Sequence, residues 1–289
     1  MSMDYEIKFL GGTPFGTIHE AMTEAFADYL MDMSYMTKEV LWRRAMKNGV
    51  DFACSPGAFQ DGRLVGLTLV GLGTWAGEPA AFDACTGIVK AHRGQGLAGR
   101  IFDAALPVLR GRGTTRFLLE VIQENEPAVK AYERTGFRIT RPMVCYQRTD
   151  PRLPEASALV EIRPVGPEAL DVLLPELDWQ PSWENTFDAV RAVPDGIRLY
   201  GAFDGAACVG LVVYYPTLRW IMSLVVKRSH RGRGIGKSLL AHALRNVEPG
   251  GRSVRVNNVD ASDLATVSVL QQCGFRELVS QYEMEFRLS

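Results

Sequence analysis

Along the first half of the chain, the spacing of apolar residues alternates between the period typical of strands and the period typical of helices. Tyr5 to Leu10 predicts a first strand, and Gly11 to Pro14 ends it. Apolar residues at helical spacing predict a helix over 19–33, and Thr37 can cap a second helix that extends to Lys47. Strands are then predicted at 58–59, 64–75, 82–89, 116–122 and 137–148, with helices at 97–110 and from 125 to about 135. This alternation predicts a mixed α/β fold.

The second half of the chain repeats this order of elements. Its strands are predicted at 159–163, 198–203, 208–215, 220–226, 253–257 and 275–288, and its helices at 234–246 and 264–272. Helices over 167–193 are interrupted around Trp179 to Trp183. Each half therefore reads as a mixed α/β sandwich, with a ligand expected at the strand ends where helix N-termini point.

One stretch, from Phe82 to Phe137, contains the strongest signal for binding. An apolar strand ends near Val89, and Gly94-Gln95-Gly96-Leu97-Ala98 then leads into a helix. Where a strand passes through glycines into a helix, unpaired backbone N–H groups converge with the positive end of the helix dipole. Such a site favours anions, and phosphate is the expected ligand.

The glycine loop occurs twice. Arg231 to Gly236 lies 138 residues after Arg93 to Ala98, and Gly274-Phe275 lies 138 residues after Gly136-Phe137. Short glycine motifs are weak alone, but equal spacing to a second landmark is hard to obtain by accident. The spacing therefore predicts a duplicated fold.

Length and local composition set the domain limits. A chain of 289 residues with 47% hydrophobic content is long enough for two domains, each with its own core. The segment 150–158 lacks periodicity and holds two prolines, so it is the predicted linker. The domains are accordingly predicted at 1–149 and 159–289.

Charge and cysteine content narrow the class of partner. Lys plus Arg total 32 against 33 Asp plus Glu, so no net field draws the chain to nucleic acid or to an acidic membrane. A small-molecule or peptide partner is expected. Five widely spaced cysteines with no CxxC pair indicate a reducing cytoplasm and no zinc site, and no signal-peptide or membrane-spanning segment is expected.

The stretch from Phe82 to Phe137 resembles the core of the GNAT superfamily of acetyl-CoA-dependent N-acetyltransferases. The residues that carry the resemblance, in order and spacing, are Arg93, Gly96, Ala98, Glu120, Val121, Asn125, Ala128, Tyr132, Gly136 and Phe137. The resemblance covers both halves and implies two tandem domains of the acyl-CoA N-acyltransferase type. Each would be a mixed, mostly antiparallel sheet flanked by helices.

The resemblance also implies roles for individual residues. Tyr132 matches the tyrosine that protonates the departing sulfur, and Glu120 falls where related enzymes often keep a carboxylate that deprotonates the amine, directly or through water. Tyr132 also reads as an ordinary packed aromatic, and Glu120 as a solvent-facing strand residue. The expected coenzyme A contacts in the first half are the strand edge Thr86, Gly87 and Ile88, the loop residues Arg93, Gly94, Gln95, Gly96, Leu97, Ala98 and Gly99, and Asn125.

The second half keeps the loop and loses the side chains for transfer. The offset of 138 pairs Tyr132 with Leu270, Asn125 with Asp263 and Glu120 with Asn258. A bound but unreactive coenzyme A is expected there, or a structural partner whose loop persists because the turn needs glycine. The coenzyme A contacts expected in the second half are Arg231, Gly232, Arg233, Gly234 and Gly236.

The leading hypothesis is an N-acetyltransferase whose first half transfers acetyl from acetyl-CoA to a primary amine by direct attack in a ternary complex. The alternatives left open are a non-catalytic acyl-CoA sensor, a working site in the second half, a longer acyl group and a hydroxyl acceptor. No metal is expected to take part.

Overall fold

The chain folds into two compact units. A computed structural model describes residues 4–156, 160–247 and 253–288. Unit 1 contains residues 1–140 and 282–289, and unit 2 contains residues 141–281. Each unit has its own strands and helices, as the sequence predicts for a duplicated α/β fold.

Unit 1 follows the predicted order of elements. Its strands are β1 (Glu6–Phe9), β2 (Pro56–Gln60), β3 (Arg63–Trp75), β4 (Glu78–Ile88) and β5 (Arg116–Ile122), and its helices are α1 (Phe15–Ala25), α2 (Lys38–Lys47), α3 (Leu97–Gly111) and α4 (Glu126–Arg134). The strand β6 (Arg138–Arg148) begins in unit 1 and continues into unit 2.

The sheet of unit 1 is mostly antiparallel. Strands β1 to β4 pair as successive antiparallel neighbours, and β4 pairs with β5 in parallel. A buried cluster that includes Phe102, Phe117 and Phe137 fills the space between this sheet and helices α3 and α4. The core of unit 1 thus lies beneath the helix that follows the glycine loop.

Unit 2 repeats the same plan. Its strands are β7 (Glu161–Pro164), β8 (Arg198–Asp204), β9 (Ala207–Tyr215), β10 (Trp220–Val226) and β11 (Val254–Asp260), and its helices are α5 (Glu168–Leu173), α6 (Phe187–Arg191), α7 (Ile235–Arg245) and α8 (Leu264–Gln272). Strands β7 to β10 pair antiparallel, and β10 pairs with β11 in parallel. Its core joins the inner faces of this sheet to α7 and α8.

The last strand of each unit comes from an unexpected part of the chain. In unit 2, residues 143–148 of β6 pair antiparallel with β11. In unit 1, β5 is followed in the sheet by β12 (Arg276–Arg287), whose residues 282–287 belong to that unit. The ranges predicted for the two domains and the linker, 1–149, 159–289 and 150–158, differ from the residue ranges of these units. The division into domains along the sequence stays a prediction. Residues 157 to 159 lie outside the described residues.

Two helix predictions are wrong in extent. The first helix ends at Ala25 rather than at residue 33, because the Ala25 carbonyl and the Asp28 carboxylate both accept hydrogen bonds from Arg93, which holds the chain in a turn there. In unit 2, the helices predicted over 167–193 shorten to α5 and α6. Prolines at 175 and 181 lie between them and cannot supply the N–H groups of a continuous helix.

Candidate active site

A cleft opens in the sheet of unit 1 where β4 and β5 separate. Their parallel pairing extends from Ala80 opposite Arg116 to Asp83 opposite Leu119 and ends there, although β4 continues to Ile88. The register between β3 and β4 shifts at Ala84, which is an extra residue on β4. Such a bulge bends a strand and ends regular pairing. Beyond Asp83, β4 therefore presents a strand edge toward the cleft.

The glycine loop lies at the end of β4 and forms the start of α3. Gly94 and Gly96 have φ angles of 76° and 70°, in the left-handed region that favours glycine. Gln95 lies between them, and Gly96 is the N-cap of α3. The first helical residues, Leu97, Ala98 and Gly99, have backbone N–H groups without an acceptor in the preceding turn of helix. Together with the helix dipole they favour an anion, as the sequence predicts.

Arg93 braces this loop from the side. Its Nε donates to the Ile88 carbonyl at 3.0 Å, and its Nη2 donates to the Ala25 carbonyl at 2.8 Å and to Asp28 Oδ1 at 2.7 Å. The hydrogen bonds from Arg93 hold the pKa of the Asp28 carboxyl at about 2, below its ordinary value. The guanidinium of Arg93 thus joins α1 to the end of β4.

Asn125 begins α4 and also lies beside a tyrosine. Its Oδ1 accepts from the Ala128 N–H at 3.4 Å, which is an N-cap hydrogen bond. A hydrogen bond from Asn125 also acts on the phenol of Tyr29, whose pKa is raised to about 12 chiefly by burial. Asn125 and Tyr29 therefore lie close to each other at the start of α4.

A chain of hydroxyls and a carboxyl lies at the apex of the cleft. Tyr132, on α4, donates from its hydroxyl to Asp83 Oδ2 at 3.3 Å, and Thr86 Oγ1 donates to the same oxygen at 2.7 Å. Thr68 Oγ1 lies 2.7 Å from Thr86 Oγ1. Burial, with the nearby Asp83 carboxyl second, raises the pKa of the Tyr132 phenol well above its ordinary value. At neutral pH this phenol carries its proton and can donate it.

Glu120 lies on the opposite face of the sheet from Tyr132. Phe117, Leu119 and Val121 join the cluster beneath α3 and α4, so the alternation of β5 turns Glu120 the other way. Glu120 is the first β5 residue beyond the last pair with β4, and it is partly buried. The two side chains named for catalysis thus lie on either side of the cleft.

The other predicted strand residues line the same edge. Gly87 lies close to α1: a Cβ placed there would be 2.7 Å from the Phe26 ring and 3.0 Å from the Ala25 Cβ. Ile88 offers its carbonyl to Arg93, and Thr86 offers its hydroxyl to Asp83. The backbone of β4 at these residues, rather than their side chains, is the part available to a ligand.

Sequence reasoning missed Asp83. It is 6% exposed, and it stands in the strand sequence Ala80-Ala81-Phe82-Asp83-Ala84, which is otherwise apolar. A carboxyl rarely occupies a fully buried position without a partner. A single acidic residue within an apolar strand was the available signal, and the structure pairs it with Tyr132.

Unit 2 contains an equivalent cleft, and Arg231 makes contacts there that match those of Arg93, which we call the brace. Trp220 opposite Arg255 is the parallel pair between β10 and β11, and the register with β9 shifts at Met222. Arg231 Nε donates to the Val226 carbonyl at 3.0 Å, and its Nη2 donates to the Glu176 carbonyl at 2.7 Å. It also forms an ion pair with Asp178.

The loop of unit 2 has the geometry of its counterpart. Gly232 and Gly234 have φ angles of 75° and 77°, and Gly234 is the N-cap of α7, which begins one residue before Gly236. The side chain of Arg233 donates to the Ser229 carbonyl at 3.0 Å. Asp263 caps α8 through Thr266, as Asn125 caps α4.

A cavity of about 480 Å³ lies between the separated strands of unit 2 and the start of α7. Its walls include both strand edges, the glycine loop and one face of α8. Ile221, Leu224 and Leu270 stand where unit 1 has Asp83, Thr86 and Tyr132. The apex of the second cleft is therefore apolar.

These paired clefts agree with a comparison against known families. The model described as "Acetyltransferase (GNAT) family" matches residues 17–137 and again residues 167–275. The chain belongs to the GNAT acetyltransferase family. Enzymes of this family generally use acetyl-CoA and act on amine acceptors.

Curated acetyltransferases resemble short parts of this GNAT protein. N-alpha-acetyltransferase 30 of Schizosaccharomyces pombe is 43% identical over 56 residues, which are 19% of this chain and 37% of that protein. Mycothiol acetyltransferase of Corynebacterium aurimucosum is 38% identical over 64 residues, which are 22% of this chain and 21% of that protein. The matches thus span about a third and about a fifth of these relatives.

Solved GNAT structures resemble the whole chain in fold. A tandem GNAT protein from the clavulanic acid biosynthesis pathway has a TM-score of 0.72 and 19% identity, with 99% of each chain covered. A GCN5-related N-acetyltransferase from Sphaerobacter thermophilus has a TM-score of 0.70 and 16% identity, with 98% of this chain and 96% of that chain covered. The tandem arrangement is therefore shown by the family match and by the fold together.

Two structural features are absent from the described residues of this GNAT protein. Among residues 4–156, 160–247 and 253–288, no group of three or more His, Cys, Asp or Glu side chains is arranged to hold a metal ion. Within the same ranges, no helix has the length and apolar character required to cross a membrane.

Proposed function

We propose that unit 1 transfers acetyl from acetyl-CoA to a primary amine of a small molecule or peptide in the cytoplasm, by direct attack in a ternary complex. Tyr132 would give its proton to the departing sulfur, and Glu120 would accept the proton of the incoming ammonium, directly or through water. Their positions on opposite faces of the sheet suit two reactants that approach the cleft from opposite sides. This separation keeps the acid and the base apart.

The observation that carries this proposal is the cleft apex, where a protonated phenol stands beside an open strand edge. The phenol of Tyr132 has a pKa raised well above its ordinary value, so it keeps a proton for a leaving thiolate. Beyond Asp83, β4 is still paired with β3 on one side, whereas its pairing with β5 on the other side has ended, so the backbone groups on that side are open. Such groups can hydrogen-bond the pantetheine arm and polarise a thioester carbonyl.

The loop would hold the diphosphate of the cosubstrate. Backbone N–H groups from Gly94 to Gly99 supply the donors, and the N-terminus of α3 supplies partial positive charge. Arg93 would act by bracing the loop, because its guanidinium is committed to Asp28 and to two carbonyls. Asn125 would adjoin the cosubstrate arm at the start of α4. No metal ion is needed for this chemistry.

A second candidate function is favoured by the cavity of unit 2. Its volume of about 480 Å³ between the strands and the loop would accept a coenzyme A arm. Backbone groups from Gly232 to Gly236 would hold the diphosphate there, with Arg231 as the brace and Arg233 beside it. Its apolar apex lacks a proton donor at Leu270, so this unit would bind acyl-CoA without transfer or would rely on an acid from the substrate.

Release of free coenzyme A from acetyl-CoA, measured with a panel of small and peptidic primary amines, tests the proposal. Tyr132→Phe should lower turnover by about 100-fold or more, with the dissociation constant for coenzyme A unchanged. Tyr146→Phe, which removes a phenol hydroxyl from the core of unit 2, is the matched control and should leave turnover near wild type.

Two results would decide against transfer in unit 1. Wild-type turnover that survives Tyr132→Phe and Glu120→Gln undiminished would move the chemistry to unit 2. Tight coenzyme A binding without acetylation of any amine would identify a sensor of acyl-CoA instead.

A further inference from the structure

Asp83 is a buried carboxyl that has no role in the transfer proposed above. It is 6% exposed and lies where β4 leaves β5. Its Oδ2 accepts hydrogen bonds from Tyr132 and Thr86, and its Oδ1 is a buried oxygen without a hydrogen-bond partner among the described residues. A carboxylate with one unsatisfied oxygen is costly in such a place, whereas a carboxylic acid is less so.

Within the part of the chain that the structure describes, no cation acts on the Asp83 carboxyl. The hydroxyls of Thr86 and Tyr132 and the backbone N–H of Cys85 are the polar groups acting on its carboxyl, and Tyr29 and the Cys85 thiol adjoin Tyr132. Burial raises the pKa of Asp83 from 3.8 to about 7, against the opposite effect of those hydrogen bonds. Near neutral pH the acid and the carboxylate are both populated.

The two forms of Asp83 set opposite hydrogen bonds to Tyr132. A carboxylate can only accept, so the phenol proton of Tyr132 points to Asp83 and away from the cleft. A carboxylic acid can donate its O–H to the phenol oxygen. The phenol O–H is then released toward the cleft, where the sulfur of the cosubstrate is expected.

We propose that Asp83 is a positioning residue that acts through Tyr132, its protonated form turning the phenol O–H toward the cleft and replacing the proton that the phenol gives up. This inference rests on the proposed transfer in unit 1. It assigns Asp83 a task distinct from that of Glu120, since Asp83 lies on the same side of the sheet as Tyr132.

Every proton that moves in this step has a donor and an acceptor. When the C–S bond of the tetrahedral intermediate breaks, the electron pair stays on sulfur and sulfur takes the phenol proton of Tyr132. The phenolate then takes the carboxyl proton of Asp83. The ammonium nitrogen loses two protons in all. Glu120 accepts the first before attack and releases it to solvent, and water carries the second, lost from the nitrogen of the tetrahedral intermediate, to the Asp83 carboxylate. The products are the amide, coenzyme A with its thiol protonated and one proton in solvent.

Unit 2 provides an internal comparison. Three members of the hydrogen-bonded chain, Asp83, Thr86 and Tyr132, are replaced together in unit 2. Ile221, Leu224 and Leu270 stand at their positions, although the bulge and the strand separation remain. The fold of the cleft therefore does not require a carboxyl at this position. Asp83 is present in the unit that has the Tyr132 phenol and is replaced in the unit that lacks it. This is the pattern expected of a residue that acts through the phenol.

Steady-state kinetics of Asp83→Asn across pH tests the inference. The asparagine amide can donate to Tyr132 at every pH and cannot titrate, so the variant should lack the loss of kcat that ionisation of Asp83 causes in the wild type. We expect the ratio of variant to wild-type kcat to rise about tenfold between about pH 7 and about pH 8.5, with KM for acetyl-CoA constant. A ratio that is flat across this range would overturn the inference.

A double-mutant cycle separates positioning from folding. In a Tyr132→Phe background, Asp83→Asn should change kcat less than twofold at any pH, because the residue acts only through the phenol. A large further effect in that background would contradict the inference. Melting temperatures of the single variants identify any that fail to fold.

Infrared difference spectroscopy gives a readout that does not depend on activity. A carbonyl band of a protonated carboxylic acid should titrate near neutral pH, disappear in Asp83→Asn and persist in Asp103→Asn, whose side chain is exposed on α3. Absence of the band would refute the role of Asp83. A protein that shows the band and turns over no acetyl-CoA would instead refute the proposed transfer.

Discussion

A negative charge placed in each glycine loop should reveal which unit holds coenzyme A. Gly94 and Gly232 occupy equivalent positions, with φ angles of 76° and 75°, and a Cβ at either would meet no atom within 4 Å. Asparagine and aspartate both tolerate this left-handed conformation better than other side chains. Each loop can therefore carry Asn and Asp variants that differ only in charge.

The magnitude follows from the distance between charges. A carboxylate at Gly94 would lie about 5 Å from a diphosphate held by the amide groups of the next residues, and each unit of repulsion there costs about 1 to 3 kcal/mol at effective dielectric constants of about 20 to 80. That range lowers affinity by about 5- to 150-fold relative to the Asn variant. A negative charge near a helix N-terminus stabilises the folded protein slightly, so unfolding does not explain the loss.

Calorimetric titration with coenzyme A measures both the number of sites and their affinity. If both units bind, wild type and both Asn variants show two sites, and Gly94→Asp and Gly232→Asp each weaken one. If unit 1 alone binds, Gly232→Asp behaves as wild type. Raising the salt concentration should narrow the difference between Asp and Asn, because the added charge is exposed to solvent.

Equal affinities in all four variants would refute the assignment of the loops. The diphosphate would then be held elsewhere, and the backbone geometry of Gly94 and Gly232 would serve the turn alone. Loss of affinity in the Asn variants as large as in the Asp variants would also count against the electrostatic argument, since bulk rather than charge would be the cause.

Three further perturbations have defined outcomes. Tyr132→Phe should raise the pKa of Asp83 further, seen as a shift of its infrared band to higher pH, because the phenol hydrogen bond lowers that pKa. Because the folded-state pKa of Asp83 is raised to about 7, ionisation of Asp83 destabilises the folded state as pH rises from about 4 to about 7. Over this range the free energy of unfolding of Asp83→Asn, measured by chemical unfolding, should rise relative to that of wild type by up to about 4 kcal/mol. Asp28→Asn should reduce the fall in melting temperature between pH 4 and pH 2. The depressed pKa of about 2 makes the Asp28 carboxylate stabilising above its unfolded-state pKa, and that stabilisation disappears as pH falls. An unchanged fall would contradict the role of Arg93 in holding Asp28.

Elements with local signals were predicted well. The cap at Thr37 accepts from the Val40 N–H at 3.2 Å, and the second helix has the expected limits. The strand Trp220–Val226 and the helix Leu264–Gln272 were predicted with their observed bounds. Period, caps and glycine turns are encoded by neighbours in sequence, so a single chain is enough to read them.

Features that depend on distant partners were not predicted. The early end of α1 depends on Arg93, which is 68 residues beyond the carbonyl of Ala25 that it binds. The assignment of residues 282–289 to unit 1 depends on pairing across most of the chain. Asp83 and Tyr132 are 49 residues apart, and only the separation of β4 from β5 brings α4 against that carboxyl.

The repeat separates what the fold requires from what the chemistry requires. Arg93 and Arg231 make matching bonds to a strand-end carbonyl, a helix-side carbonyl and an aspartate, so the arginine of the repeated loop is explained by structure in both units. Its presence in unit 2 is therefore not evidence for a ligand there. The side chains at the cleft apex carry no such structural constraint, since Ile221 and Leu270 fill the same positions. We therefore expect any difference in activity between the units to arise outside the loop arginine, at the apex, at Glu120 and at Asn125, which is Asp263 in unit 2.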